Sequence, residues 1–102
     1  MGTYPVPSSI KQVPITTGLS VQIAPQNITR NALYVFNASP VAVLWVCPAL
    51  SNDQTTLAAV AAGSGSIPIQ PGTGLLFQGF TSAMNAIAQG NTATVTVWEY
   101  YQ

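Results

Sequence analysis

Charge is the scarcest thing in this sequence. Its 102 residues carry two basic and two acidic side chains, Lys11, Arg30, Asp53 and Glu99, and no histidine. A free-standing domain ordinarily draws roughly a quarter to a third of its surface from Lys, Arg, Asp and Glu. With 4% charged residues the exterior needs another cover. The expectation is that other protein supplies it, in a homo-oligomer or lattice with a structural role. A net charge of zero and isolated basic residues leave no electrostatic footprint for nucleic acid or an acidic membrane, so neither is expected as a partner.

The missing histidine also empties the list of catalysts. Asp53 and Glu99 fall on a predicted loop and a predicted strand, so no working carboxylate pair is expected. Serines and threonines are plentiful but have no base to activate them. No enzyme and no catalytic residue is predicted. One cysteine, no histidine and two carboxylates cannot furnish four zinc ligands in one chain, and a lone Asp53 reads as solvated and not as a calcium ligand. No metal and no cofactor are expected. Cys47 has no partner for an intrachain disulfide. It sits in Val43-Leu44-Trp45-Val46-Cys47, where it reads as a small buried hydrophobe.

Long apolar runs are absent as well. Val41 to Val46 falls far short of the roughly 18 residues a spanning helix needs. Met1 to Ile10 has neither a basic start nor an apolar run, so no targeting segment is expected there. Asn27-Ile28-Thr29 and Asn37-Ala38-Ser39 match the glycosylation acceptor pattern, and in a chain this rich in Asn, Ser and Thr they read as chance.

What the sequence has is strand-forming residues in short runs, punctuated by eight Gly and eight Pro. That spacing predicts an all-β chain, an antiparallel β-sandwich of about eight strands. Residues 1–10, with Pro5 and Pro7, read as an extended N-terminal arm, and residues 11–102 as one domain. Strands are predicted at Gln12 to Thr16, with Pro14 confining it to an edge, and at Leu19 to Ala24, where Leu19, Val21 and Ile23 alternate with polar or small residues. Arg30 to Asn37 and Pro40 to Cys47 follow, joined by Asn37-Ala38-Ser39-Pro40 as a hairpin.

Both of these strands are apolar on both tracks: Leu33 and Val35 oppose Tyr34 and Phe36, and Val41, Val43 and Trp45 oppose Ala42, Leu44 and Val46. A sandwich buries one face of each sheet, so the second track requires another cover, expected from a neighbouring subunit. Ser51 to Ala62 reads as a loop with the option of a short helix, and Gly63 to Ser66 as a flexible connector. Further strands are predicted at Ile67 to Gln70, Leu75 to Phe80, Ala83 to Gln89 and Thr92 onward, with Gly90-Asn91 turning the seventh into the eighth.

Glu99 extends the apolar track Ala93, Val95, Val97. If that track stays inside, the carboxylate needs a cation, and Arg30 is the candidate for a structural ion pair. If the track emerges at the strand end, Glu99 is simply wet. Trp98 and Tyr100 share the opposite track with Thr94 and Thr96 and are expected on the solvent face, where a subunit contact is favoured over a sugar platform. The arm residues Tyr4, Pro5 and Val6, with Tyr34 and Phe36 from one apolar track of their strand, complete the interface candidates.

The segments Ile28 to Asn37, Ile67-Pro68-Ile69-Gln70-Pro71-Gly72, and Ala86 to Asn91 leading into Val95-Thr96-Val97-Trp98-Glu99 together resemble the small all-β virion proteins of tailed bacteriophages, the head decoration or cement proteins above all. The resemblance spans residues 28 to 99 and rests on pattern and composition. It implies a jelly-roll-like sandwich, often trimeric, on the outer capsid surface of the virion, bridging subunits of the major capsid protein. A tail, fibre or spike component recognising a host surface glycan is the alternative it leaves open.

Overall fold

The structure is a computed structural model that describes residues 6–49 and 65–101. Among these there is no helix. The strands are β1 (Ser9–Ile15), β2 (Val21–Ala24), β3 (Arg30–Asn37), β4 (Val43–Pro48), β5 (Ile67–Ile69), β6 (Gly74–Gln78), β7 (Met84–Gln89) and β8 (Ala93–Tyr101). They form two four-stranded sheets, ordered β1-β8-β3-β6 and β2-β7-β4-β5, with antiparallel pairing throughout. The chain is an all-β sandwich.

Alternation decides what lies between the sheets. Ile15, Leu33, Val35, Val95 and Val97 face inward from the first sheet; Ile23, Leu44, Val46, Ile69 and Met84 face them from the second. Each fully buried aliphatic side chain contributes roughly 1.5–3 kcal/mol relative to exposure. Ala86 and Ala88 of β7 are fully buried too, and their short side chains let the facing Leu and Val side chains fill the interior.

The strand boundaries differ from expectation at several points, each for a local reason. β1 starts at Ser9, because Ser9 and Ile10 pair with Glu99 and Trp98, so the arm gives up its last residues to the sheet. Leu19 stays outside β2 and is 58% exposed. Gly18 just before it takes a positive φ of 77° and turns the chain ahead of the strand. β3 and β4 are not a hairpin: they lie in opposite sheets, as do β7 and β8. The residues from Asn37 to Ala42 carry the chain across the sandwich, and Gly90 (φ 90°) carries it back. Gln70-Pro71-Gly72-Thr73 is a tight turn, with the Thr73 amide donating to the Gln70 carbonyl at 3.2 Å. Pro71 presets its second position, and Gly72 supplies the positive φ of 73° at its third. The expected loop at Ser51 to Ala62, with Asp53 in it, and the first half of the Gly63 to Ser66 connector lie outside the described residues.

Candidate functional site

Two features stand out, one inside the sandwich and one on its surface. Inside, the first is at the start of β3. Strict alternation would place Arg30 outward with Ala32, Tyr34 and Phe36. The pairing with β8 shifts between Arg30 and Ala32, and this bulge re-aims the side chain inward. The guanidinium is buried and donates from Nη1 to Glu99 Oε2 at 2.7 Å and to the Pro25 carbonyl at 3.0 Å, from Nε to Phe80 O at 2.9 Å, and from Nη2 to Ser82 O at 2.7 Å. It also lies 5.7 Å from the Phe80 ring centroid, within cation–π range. One side chain therefore ties together the end of β2, the β6–β7 connection and β8. The structure brings Arg30 and Glu99 together within one chain. No buried side-chain nitrogen or oxygen among the described residues lacks a hydrogen-bond partner.

The other end of β3 carries Asn37, fully buried. Its Nδ2 donates to Ala42 O and Ile69 O, both at 2.9 Å, and its Oδ1 accepts from the Ser39 amide at 3.0 Å. With both amide hydrogens engaged and no exposure, this acceptor-pattern asparagine is not presented for glycosylation in the folded chain. Asn27 of the other such triplet uses its Oδ1 to accept from the Thr29 amide and hydroxyl. Asn37 escaped the sequence reading although the signal was there: it continues the inward track of Leu33 and Val35, just as Glu99 continues that of Val97.

The surface feature is the outer face of the first sheet. Register places Ile10, Trp98, Tyr34 and Leu76 side by side in one row across all four strands. Ile10 and Leu76 are 64% and 51% exposed; Trp98 and Tyr34 are half-buried, as are Phe36 and Tyr100 on neighbouring rows. The rings pack on one another: Tyr34 and Trp98 centroids are 5.4 Å apart with a 44° tilt, Tyr34 and Phe36 6.5 Å apart at 19°. Tyr34 lies down across β6, because Gly74 has no side chain. A methyl group at Gly74 would come within 2.5 Å of the Tyr34 hydroxyl and 2.9 Å of the Val35 carbonyl oxygen. Of the sequence candidates, Tyr34, Phe36, Trp98 and Tyr100 thus share this face. Val6 is 83% exposed just ahead of β1, and Tyr4 and Pro5 lie outside the described residues. Ile10 on β1 and Gly74 and Leu76 on β6 were missed because they lie on the two edge strands, far in sequence from β3 and β8, and only register assembles them.

The second sheet's outer face differs. Cys47 and Ile87 are buried there with Trp45 packed over them, and the Trp45 indole donates to Gln89 Oε1 at 2.8 Å. Cys47 is a free thiol within this cluster. The described residues hold no group of three or more His, Cys, Asp or Glu side chains that could bind a metal ion.

No family model and no curated protein matches the chain. Among solved structures it is similar in fold to a de novo designed double-stranded β-helix, with a TM-score of 0.55 at 10% identity, covering 90% of this chain and 99% of that one. At that identity the likeness concerns the architecture alone.

Proposed function

We propose that this chain is a structural protein of a bacteriophage virion, a decoration or cement protein that assembles with copies of itself on the outer capsid surface and braces the major capsid protein lattice. The strand order β1-β8-β3-β6 over β2-β7-β4-β5 supports the jelly-roll form of the sandwich, two Greek keys wound together. The observation that carries the functional reading is the apolar row Ile10, Trp98, Tyr34, Leu76 on a sheet face with no formal charge in it. A large apolar patch on a chain this poor in charge favours protein as its cover. Aromatic residues are also the ones that anchor protein interfaces.

The glycan-binding alternative would use the same rings. The 44° tilt between Tyr34 and Trp98 makes a ridged surface, which suits interdigitating side chains better than a flat sugar ring.

The test is the solution mass of the chain by light scattering beside that of Trp98→Ser, with a glycan array run on both. Self-association weakened about tenfold or more in the variant supports assembly through this face. A chain that stays monomeric at high concentration and loses glycan binding in Trp98→Ser favours the alternative and overturns the assembly reading.

A further inference from the structure

A sandwich of two open sheets has four edge strands, and each edge is a row of backbone donors and acceptors waiting for another strand. Three of the four are guarded here. For β1 the pattern is set by β8: just past β3 the Ala38 amide donates to Thr94 O, so by alternation the even residues of β8 bond β3 and its odd residues bond β1. Ser9, Lys11, Val13 and Ile15, which pair with those odd residues, therefore bond inward, and the free edge falls at Ile10, Gln12 and Pro14. Pro14 has no amide hydrogen to offer there, and Lys11 sets a charge on the core-facing track at the rim. β2 has four residues and an irregular register between Gln22 and Ala24. β5 has three residues with Pro68 in the middle.

β6 has none of these devices. Gly74-Leu75-Leu76-Phe77-Gln78 contains no proline, no charge and no bulge, and pairs in continuous register with β3. Among the described residues no strand lies on its other side. The Gly79 amide donates to Asn31 O and the Asn37 amide to Thr73 O, so the odd residues of this segment bond β3. The amides and carbonyls of Gly74, Leu76 and Gln78 point to the open edge.

We propose that this edge pairs with the same edge of a second copy, β6 against β6, antiparallel about a two-fold axis through Leu76. This rests on the self-assembly reading above and names its contact. The register is self-complementary. Leu76 meets Leu76 of the second copy, and Gly74 meets Gln78, as hydrogen-bonded pairs that satisfy every outward backbone group of the strand. Leu75 meets Phe77 between them on the core-facing track, apolar against apolar. Leu75 and Leu76 are 39% and 51% exposed in the single chain, and pairing would cover both. No formal charge on β6 or on the facing residues of β3 opposes the approach. Two first sheets then become one, and the apolar rows on their outer faces run on without a break. A two-fold contact of this kind is isologous and builds even-numbered assemblies, whereas the resemblance to cement proteins implies a trimer.

The test uses three variants of the full chain. Leu76→Cys in a Cys47→Ala background places two thiols on residues about 5.5 Å apart at Cα across the axis, within disulfide reach, and mild oxidation is expected to yield a covalent dimer. Leu76→Lys brings like charges together there and is expected to weaken association about tenfold or more. Gln70→Lys, an equal charge on an exposed turn, leaves the mass unchanged. An even-numbered native mass with crosslinking at position 76 supports the pairing. A trimer, or an oligomer indifferent to Leu76→Lys, overturns the β6 contact and leaves the assembly reading standing. A native chain that is monomeric at high concentration overturns both.

Discussion

The two ends of β3 solve the same problem with different chemistry. At each end a buried polar side chain reaches across the sandwich to hold connecting segments together. Arg30 does so with a full charge, one carboxylate and three carbonyls; Asn37 does so with a neutral amide, two carbonyls and one backbone amide. Burying the ion pair carries a heavy desolvation cost that the amide avoids. What the charged end gains is reach: the guanidinium spans three segments, where the amide serves the β3–β4 link and the end of β5. The lesson is that half of this chain's formal charges, the Arg30 and Glu99 side chains, are spent on interior closure and not on the surface.

That contrast can be broken from either end. Arg30→Met leaves the Glu99 carboxylate buried without a cation and three carbonyls without donors; it is expected to cost about 3–5 kcal/mol, read from urea unfolding. Adding Glu99→Met to it should recover part of that loss, since the stranded charge is then gone. Asn37→Ala takes a donor from the Ala42 and Ile69 carbonyls and the acceptor from the Ser39 amide without stranding a charge, and about 2–3 kcal/mol is expected by the same measurement. An Asn37→Ala loss as large as that of Arg30→Met would show that hydrogen bonding, and not charge, separates the ends. The smallest effect sharpens the comparison: raising salt from about 0.1 M to about 1 M shortens the screening length from about 10 Å to about 3 Å. Because the Arg30 and Glu99 side chains are 0% and 5% exposed, the cost of Arg30→Met should move by less than about 0.5 kcal/mol.

The all-β class and most strand positions were legible in the sequence, because alternation and turn residues are local. β3 falls where Arg30 to Asn37 was read, and Pro14 lies on the outward-facing positions of an edge strand. Sheet membership was not legible. Asn37-Ala38-Ser39-Pro40 has the composition of a tight hairpin, and nothing local reveals that Asn37 is drawn inward to bond Ala42 and Ile69 and so turns the chain across the sandwich. The inward turn of Arg30 depends on a one-residue register shift against β8, a pairing between residues far apart in sequence. The surface row was half legible: Trp98 and Tyr100 were visible as outward aromatics and Tyr34 and Phe36 as an apolar track opposite Leu33 and Val35, while Ile10 and Leu76 join them only once strand order is known.

The position of β8 between β1 and β3 has a consequence for synthesis. The first sheet lacks one of its two central strands until Ala93 to Tyr101 has left the ribosome, so β1, whose only partner strand among the described residues is β8, must wait for nearly the whole described chain to emerge. Pairings between such distant segments form slowly, and exposed strands in the interval are prone to wrong partners. Nascent chains of this protein should therefore close the first sheet late, only once Ala93 to Tyr101 can pair between β1 and β3.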